Sequence, residues 1–450
     1  MSSRLDRERA QDLLRQARHA APADTALELT IEEDRYELTR FANNAIHQNV
    51  AEATLALSVR AQAEQRTARA STHRLDAHGV REVVDRAVRL TRSQSPDPEL
   101  LPMAAARDAG AAGVDRFDAD TAAITPAQRA EAVAAMVAAG AHDGLTAAGI
   151  CATRQSQTML LNSEGLEAAY ASTGAEFSVT MLGPSSSGWA KGGGPRWGEL
   201  DPAAGARMAA QKARASAQPS EVPAGRYTVI LEPAAVLDLL GFAMWDFGAL
   251  SVLDQRSFLC DRVGTKLFGD NVTITDDVFH PQQTGAPFDG EGVARQRVVL
   301  VENGWVKNLV YARQTAARAG AQPTGHGFPL PNEYGEGPVN VVFTGGKTAV
   351  EEMIATTPRG ILVTRLWYIR EVDPYQKILT GMTRDGTFLI EEGRLRGGVR
   401  NFRFNQSMIA LLNSIEALSP AVRASGEEAF DMVVPALKVR DFNFTEVTRF

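Results

Sequence analysis

An eight-residue segment in the middle of the chain divides it into two regions of different character. It runs from Gln218 to Gly225, reads Gln-Pro-Ser-Glu-Val-Pro-Ala-Gly, and contains two prolines and a glycine. Proline and glycine interrupt regular helices and strands, so a segment of this kind is typical of a boundary between domains. We therefore predict an N-terminal domain over residues 1–218 and a C-terminal domain over residues 224–450.

The N-terminal region alternates amphipathic helical segments with strand-like segments. Apolar residues recur at helical spacing in residues 4–19, 80–92, 126–139 and 203–217. Thr125 followed by Pro126 has the composition of a helix N-cap and first helical position. Period-two alternation and short apolar runs predict strands at 26–31, 35–41, 53–59, 147–153, 158–162, 167–171 and 176–182. The remaining long segments, 94–125 and 185–195, are predicted to be loops.

The C-terminal region is richer in short strand-like segments. They lie near 227–231, 297–302, 305–311, 339–343, 361–369, 388–391 and 399–404. Two helices are predicted here, over residues 233–247 and 406–417. The fold class is therefore α+β, with a helix-flanked antiparallel or mixed sheet in the N-terminal half and a β-rich C-terminal half.

Composition excludes several classes of function. The chain of 450 residues has 47 Lys and Arg against 54 Asp and Glu, a formal net charge of −7, and this mixed, mildly acidic balance disfavours a nucleic-acid-binding face. Two cysteines, Cys151 and Cys260, exclude a disulfide framework. The N-terminus lacks the apolar core of a secretory signal, and no run of about 18 apolar residues could span a membrane. We expect a cytoplasmic protein.

The seven histidines do not form a recognisable helical zinc site. A helix-borne H-E-x-x-H motif needs two histidines four residues apart, and no pair has that spacing. His73 and His78 are five apart, but Arg74 occupies the position of the glutamate. Two interpretations of His47, His280 and His326 stay open: a dispersed metal site, or three separate loop or surface histidines.

Acidic residues cluster in two places of the C-terminal half. Asp276 and Asp277 follow a strand-like run, and adjacent side chains on a strand point to opposite faces, so the two are not expected to act as a paired acid and base. Asp289 and Glu291 follow in a glycine-rich loop. For both groups, the alternative to a functional role is a structural role, in which the carboxylates stabilise turns or helix caps.

Several segments together resemble the TldD/PmbA family (peptidase family U62). The family pattern R-F-A-N-N-x-I-H-Q-N is similar to Arg40–Asn49, and the remaining similar segments follow in the family's order along nearly the whole chain. They are Leu161–Gly165, Asp276-Asp277, Phe288–Gly292, Val301–Gly304, Pro323–Gly327, Asn340–Gly345, Ile390–Gly393 and Val434–Val439.

The resemblance also indicates a branch of the family. In the TldD branch a helix carries H-E-x-x-x-H, and a cysteine near the C-terminus completes a metal site. The PmbA or TldE branch lacks these ligands and forms the other half of a heterodimeric protease. Here the helix after Leu231-Glu232-Pro233 contains neither histidine nor glutamate, and the segment Ser425–Asp431 contains no cysteine. The chain therefore resembles the PmbA/TldE side.

This resemblance implies a function in peptide hydrolysis without a metal site in this chain. The chain would be a non-catalytic subunit that helps a TldD-like, zinc-bearing partner to degrade unfolded or short peptides or to process a modified peptide. Peptides would be captured by strand addition to the β-rich half. No catalytic or metal-binding residue and no cofactor is assigned to the chain itself, and no contact with nucleic acid or membrane is expected.

Two groups of candidate residues follow. Candidates for lining a cavity or binding peptide are Arg40, Asn43, Asn44, His47, Asp276, Asp277, Asp289, Thr324 and His326. Candidates for packing, or for a subunit interface, in place of the metal helix are Phe242, Met244, Trp245 and Phe247. Two alternatives remain open: a self-sufficient hydrolase acting as a homodimer with a dispersed metal site or an unrecognised nucleophile, and a regulatory binding protein of the gyrase-modulator type.

Overall fold

A computed structural model describes residues 6–110 and 113–448 of the chain. Residues 4 and 5 of the first predicted helix lie outside the described residues. The α+β class is confirmed: helices flank one antiparallel sheet in the N-terminal half, and short strands dominate the C-terminal half. No helix within the described ranges is both long and apolar enough to cross a lipid bilayer.

Six antiparallel strands form the N-terminal sheet, in the order β3-β2-β1-β4-β5-β6. The strands are β1 (Ala26–Ala42), β2 (Ala45–Ala63), β3 (Arg66–Thr72), β4 (Thr146–Asn162), β5 (Glu167–Leu182) and β6 (Ser187–Gly194). The helices of this half are α1 (Arg7–Ala20), α2 (Ala77–Ser93), α3 (Ala119–Ala122), α4 (Pro126–Ala141) and α5 (Pro202–Ala215).

All four long helices of this half cover the same face of the sheet. Odd-numbered residues of β1 supply apolar contacts at both ends of that face: Leu27 and Leu29 pack with α1 and α2, and Phe41 packs with α4 and α5. Since alternate side chains of a strand point to opposite faces, the even-numbered residues face away from the helices.

The opposite face of the sheet is polar and contacts the C-terminal half. Glu28 on β1 is fully buried and binds Arg60 through two hydrogen bonds of 2.7 and 3.2 Å, and Arg69 at 2.6 Å. Burial raises the pKa of Glu28, but the two arginines outweigh it and hold that pKa below its usual value. Arg69 also donates to the carbonyl of Leu330 at 2.8 Å, so this ion cluster fastens the sheet to a C-terminal loop.

The C-terminal half contains a closed ring of strands and a second sheet around one large core. Strands β12-β7-β19-β15-β13 pair in that order, and β12 also pairs with β13, which closes the ring; the second sheet has the order β10-β9-β8-β11-β18-β17. The strands are β7 (Gly225–Leu231), β8 (Ile274–Asp276), β9 (Val298–Glu302), β10 (Trp305–Val306), β11 (Val341–Phe343), β12 (Arg359–Asp373), β13 (Ile378–Glu391), β14 (Arg394–Gly398), β15 (Phe402–Ser407), β16 (Ile415–Leu418), β17 (Val422–Ala424), β18 (Met432–Val434) and β19 (Leu437–Val447). The helices are α6 (Pro233–Met244), α7 (Ala249–Leu253), α8 (Arg313–Ala319), α9 (Val350–Ala355) and α10 (Met408–Asn413).

Several predictions of local structure were wrong. Only Trp305–Val306 of the strand predicted at 305–311 forms β10, and the predicted loop 94–125 contains α3. The pairs of short strands predicted at 26–31 with 35–41, at 147–153 with 158–162, and at 167–171 with 176–182 are each one long strand. The predicted loop 185–195 contains strand β6, with Trp189 buried. The helix predicted over 406–417 is only α10, because the residues on either side pair as β15 and β16.

Candidate functional site

Helix α6 is the element to which the family resemblance assigns metal ligands in the TldD branch. Its sequence from Pro233 to Met244 is apolar except for Asp238, and Pro233 occupies the first helical position. Leu237, Asp238 and Phe242 have the spacing of H-E-x-x-x-H, with the single carboxylate of the helix at the position of the glutamate.

The segment 425–431, to which the resemblance assigns the TldD-branch cysteine, lies directly against α6. A Cβ atom on Gly241 would lie 2.4 Å from the Cβ atom of Ala429, and one on Gly426 would lie 2.2 Å from Oδ1 of Asp238. Contacts this short exclude a larger side chain at either glycine without movement. The two segments to which the resemblance assigns metal ligands are therefore neighbours in this chain.

Aromatic side chains line the open groove between these two segments. The groove has a volume of about 440 Å³ and is bounded by α6 residues and by Glu427–Phe430. The ring of Trp245 lies 5.9 Å from that of Phe328 and 6.2 Å from that of Phe430 between centroids. Trp245 is nevertheless 48% exposed, whereas Met244 and Phe247 are buried in the main core and Phe242 is half-buried.

Asp238 lies beneath this groove and is shielded from solvent. Its Oδ1 accepts a hydrogen bond of 3.1 Å from the backbone N–H of Glu428. Burial raises the pKa of Asp238 to about 7, against the smaller opposing effect of that backbone donor. Burial of a carboxyl group in an apolar helix favours its neutral form, and here it outweighs the opposing charge of Arg365.

The residues at this position do not fit a metal ion. Zinc sites need about three histidine, cysteine or carboxylate ligands around one point, and no group of three such residues with that arrangement occurs in the described ranges. Glu428 accepts a hydrogen bond from the backbone of Tyr368 and faces Arg370, and Glu427 faces Lys191. The nearby carboxylates are therefore engaged in protein contacts.

Asp276 and His326, two of the candidate cavity residues, form a fully buried pair instead. His326 Nε2 lies 3.0 Å from Oδ1 of Asp276, at ion-pair distance but without the alignment of a hydrogen bond. Oδ2 of Asp276 accepts from the backbone N–H groups of Val339 and Asn340 at 2.7 and 2.8 Å. Burial raises the pKa of Asp276, but His326, Arg295 and the backbone N–H of Asn340 together outweigh it, so the pKa lies below its usual value. The ring nitrogen Nδ1 of His326 lies 2.9 Å from the backbone carbonyl oxygen of Thr324 and 2.9 Å from its hydroxyl Oγ1.

Asp289 fixes the loop beside this pair. Its carboxylate accepts hydrogen bonds of 2.8–3.0 Å from the backbone N–H groups of Glu291, Val293 and Gly327. Burial, together with the charge of Glu291, raises the pKa of Asp289 to about 7. Arg295 interacts electrostatically with both Asp276 and Asp289, so the buried cluster joins two loops and the end of β8.

The remaining candidates do not meet at this cluster. Arg40, Asn43, Asn44 and His47 lie at the tip of the β1–β2 hairpin, where Asn43 and Asn44 adopt positive φ angles of 51° and 63°, which suits asparagine in a two-residue turn. Asn44 also bonds to the backbone of Leu145 and Ala147. Asp277 is partly exposed, accepts from the N–H of Phe279 and faces Arg297.

The structure thus separates the candidates into a buried cluster, an exposed hairpin tip and a groove. Sequence reasoning selected Trp245 and Phe242 but missed Asp238 and Phe430. A signal for Asp238 existed, because it is the only charged residue of an otherwise apolar helix and has the H-E-x-x-x-H spacing. Phe430 carried no such signal, since its contact with Trp245 depends on how the chain returns to α6.

Comparison with known proteins gives two family matches within this fold. Residues 119–217 match the PmbA/TldA metallopeptidase central domain, and residues 224–446 match the PmbA/TldA metallopeptidase C-terminal domain. Together these matches cover well over half of the chain, and both describe parts of a metallopeptidase. The chain belongs to the TldD/PmbA family, as the resemblance indicated.

Individual relatives agree with this assignment. The crystal structure of TldE from Thermococcus kodakarensis has the same fold, with a TM-score of 0.87 at 21% identity, covering 97% of this chain and 100% of that chain. A metalloprotease of Methanothermobacter thermautotrophicus is 25% identical over 230 residues, 48% of each chain. An uncharacterised protein of Methanocaldococcus jannaschii is 40% identical over 100 residues, 22% of this chain and 24% of that one. The matched stretches span less than half the length of these two relatives.

Proposed function

We propose that the chain is the non-catalytic, TldE-like subunit of a two-chain metallopeptidase in the cytoplasm. A TldD-like partner would supply the zinc ion, and the pair would degrade unfolded or short peptides or process a modified peptide. One observation carries the proposal: where the resemblance assigns metal ligands, α6 with the turn after it and the segment 425–431 line an open groove with the aromatic side chains of Phe242, Trp245 and Phe430. These side chains can pack against a partner but cannot bind zinc.

The exposed aromatic residues beside the groove support a role in subunit contact. Trp245 is 48% exposed and Tyr368 is 55% exposed, and the backbone of Tyr368 is bound to the groove residue Glu428. The guanidinium of Arg370 lies 4.4 Å from the ring centroid of Tyr368. Tryptophan, tyrosine and arginine are the residues that most often anchor protein interfaces.

Peptide capture would use the open edges of the β-rich half, where β14 and β17 end their sheets. A strand of peptide gains main-chain hydrogen bonds from such an edge. Arg40, Asn43 and His47 are exposed at the hairpin tip and stay candidates for contact with peptide or partner. Asp276, Asp289, Thr324 and His326 would support the site indirectly, because they hold the loops behind it.

Co-expression with a TldD-like chain that carries H-E-x-x-x-H tests the proposal. We expect the two chains to co-purify and to cleave an unstructured peptide together, while neither chain cleaves it alone. Trp245→Ala should weaken co-purification by about tenfold or more, as expected for an interface anchor. Trp305→Ala is the matched control, since Trp305 is 46% exposed on β10 and does not line the groove.

Two results would replace this proposal by its alternatives. Stoichiometric zinc and peptidase activity in the isolated chain would establish the self-sufficient hydrolase. Salt-sensitive binding of DNA by the purified chain would establish the regulatory protein, because release of counterions makes such binding fall steeply with salt.

A further inference from the structure

A cleft opens between the polar face of the N-terminal sheet and the C-terminal half. Its volume is about 360 Å³, which lies within the range of sites that bind small molecules. Residues of β1, β4, β5 and β6 line one side, and Thr284, Arg423 and Asp431 line the other. The cleft shares no lining residue with the groove beside α6, so a ligand here would be distinct from a partner bound at the groove.

The register of the strands places polar side chains of the sheet next to one another at this cleft. Tyr36 on β1 pairs with Arg154 on β4, and Arg154 pairs with Gly174 on β5. Glu176 follows two residues after Gly174, so its side chain points to the same face of the sheet. Diagonal neighbours of this kind lie about 7–8 Å apart, close enough for one small ligand to contact both Arg154 and Glu176.

Two glycines border the cleft where neither backbone conformation nor packing requires glycine. Neither Gly174 nor Gly194 has a φ angle in the left-handed region, and a Cβ atom on Gly194 would meet no atom within 4 Å beyond its chain neighbours. A Cβ atom on Gly174 would meet only the Cβ atom of Arg154, at 3.8 Å. Glycine weakens a strand and often marks a place where a ligand or another backbone approaches closely. Among the described residues no backbone approaches so closely, so these glycines leave space that suits a ligand.

Glu176 gives the cleft a carboxylate without a counter-cation. Within the part of the chain that the structure describes, its side chain forms no ion pair, and its one hydrogen-bonding neighbour is the hydroxyl of Tyr36, at 3.5 Å. Burial, together with the charge of Glu176, raises the pKa of Tyr36, so this hydroxyl keeps its proton at neutral pH. Asp431 is already paired with Arg423 at 2.9 Å. Glu176 is therefore the carboxylate of the cleft that is free to bind a cationic group of a ligand.

Arg154 offers hydrogen-bond donors next to this carboxylate. Its Nε donates to Oδ1 of Asp34 at 2.6 Å, but a guanidinium carries five N–H donors. Among the described residues the two terminal nitrogens of Arg154 make no hydrogen bond, and its side chain is 62% exposed. A ligand oxygen therefore has access to Arg154 while a cationic group of the same ligand binds Glu176.

We propose that the cleft binds the free amino terminus of an amino acid or short peptide. The ammonium group would bind Glu176, and the carbonyl or carboxylate oxygen next to it would accept from Arg154, with the ligand lying over Gly174. An amino-terminal residue carries both groups on one carbon atom, whereas a simple amine would leave Arg154 without a partner and a carboxylic acid would leave Glu176 without one. The proposal goes beyond the two-chain peptidase, because it assigns a binding site to this chain alone.

Titration calorimetry of the full, isolated chain with L-alanyl-L-alanine tests the proposal. We expect saturable binding at one site and no measurable binding of N-acetyl-L-alanyl-L-alanine, which lacks the ammonium group. Glu176→Gln keeps the size of the side chain but removes its charge, so it should weaken binding by about tenfold or more. Glu167→Gln is the matched control: Glu167 lies on the same strand, pairs with Arg7 and is outside the cleft, so binding should be unchanged.

Filling the cleft provides a second variant that leaves its charges in place. Gly174→Val puts a branched side chain over β5, where a Cβ atom has room, so the chain should stay folded by circular dichroism while binding of the dipeptide is lost. Titrations with L-alanine and tri-L-alanine distinguish the two sources of an amino terminus. Comparable binding of both means that any free amino terminus fits, whereas preference for one identifies the free amino acid or the peptide as the ligand.

The proposal is overturned if the wild-type chain binds no dipeptide at the highest concentration reached, or binds the N-acetylated dipeptide equally well. Undiminished binding by Glu176→Gln would show that Glu176 does not hold the ammonium group, and equal weakening by Glu167→Gln would show an effect of net charge alone. Undiminished binding by Gly174→Val would place the ligand elsewhere. None of these results bears on the proposed partner, because the titrations contain only this chain.

Discussion

Two clusters of acidic side chains in the C-terminal half differ in their surroundings. Asp276 and Asp289 lie in the interior, where His326, Arg295 and five backbone N–H groups surround their carboxylates. Asp238 lies on α6, next to the segment that borders the open groove, and accepts hydrogen bonds only from the backbone of that segment. Both clusters keep buried polar atoms without a hydrogen-bond partner, among them Arg295 Nε and Asp238 Oδ2, but only the second lies beside an open groove.

The family's shared motifs and the departures from the TldD pattern lie in different parts of the C-terminal half. The segments with which the chain resembles its family, including Asp276-Asp277, Phe288–Gly292 and Pro323–Gly327, form the buried cluster and its loops. The segments that depart from the TldD pattern form the groove. The shared motifs therefore specify how loops are held, and the departures indicate what this chain does differently from a metal-bearing relative.

The largest expected effect is that of removing a charge from the buried cluster. Asp276→Ala leaves His326, Arg295 and the N–H groups of Val339 and Asn340 without their partner. Breaking a buried ion pair from one side costs about 3–5 kcal/mol of unfolding free energy. Urea unfolding followed by circular dichroism measures the loss.

The adjacent residue provides the control for that experiment. Asp277 is partly exposed and pairs with Arg297 at 3.3 Å, and exposed ion pairs contribute about 0–1 kcal/mol. Asp277→Ala should therefore cost less than about 1 kcal/mol. Equal losses for the two variants would show that the contrast between buried and exposed acids does not determine stability here.

The second effect concerns the dependence of stability on pH at Asp238. Burial raises the pKa of Asp238 to about 7 in the folded chain, from the ordinary value of 3.8. As pH rises from about 4 to 7, the unfolded chain releases this proton while the folded chain keeps it, so the unfolding free energy falls. Asp238→Asn has no ionisable group at this position, so its unfolding free energy should not fall in this way. Its side-chain oxygen can still accept the hydrogen bond from the backbone N–H of Glu428. At pH 8 the variant should exceed the wild type by roughly 2–4 kcal/mol.

The same pair of proteins supplies the control at low pH. Near pH 4 the folded chain keeps the proton and the unfolded chain has only begun to release it, so most of the pH-dependent difference should vanish. Other buried acids, among them Asp246 with a pKa raised by burial to about 6, titrate equally in both proteins and cancel in the difference. A difference between the proteins that is constant from pH 4 to 8 would mean that Asp238 does not titrate with the raised pKa.

Much of the N-terminal half could be predicted from periodicity and capping. Thr125 caps α4 as expected, and α5 begins at Pro202, one residue before the predicted start. The continuity of the long strands could not be predicted. Residues Glu32–Asp34 are charged and interrupt the apolar pattern of β1, but β2 and β4 pair with them on both sides. The glycines of β6 suggested a loop, but a Cβ atom on Gly188 would lie 2.0 Å from the carbonyl of Ala209, so glycine there permits close packing of α5.

The geometry of the candidate site was less predictable than the helices, because it depends on contacts between residues far apart in sequence. Periodicity predicted the helix α6, and the family resemblance supplied both the motif segments and the comparison with a metal-bearing helix. They could not show that Asp276 and His326 are shielded from solvent, because burial depends on loops far away in sequence. They also could not show that Phe430 meets Trp245, since α6 and the segment 425–431 are almost two hundred residues apart.

The smallest expected effect on stability is that of truncating the groove. Trp245→Ala removes ring contacts with Phe328 and Phe430 from a side chain that is already 48% exposed, so it should cost only about 1 kcal/mol of unfolding free energy. Urea unfolding by circular dichroism measures this, with Trp305→Ala as a control of equal size and exposure. A small loss combined with weakened binding of a TldD-like chain would mark Trp245 as an interface residue. A loss of about 3 kcal/mol or more, the range of a buried aromatic, would instead make the groove part of the core, and the contrast with the Asp276 cluster would then no longer hold.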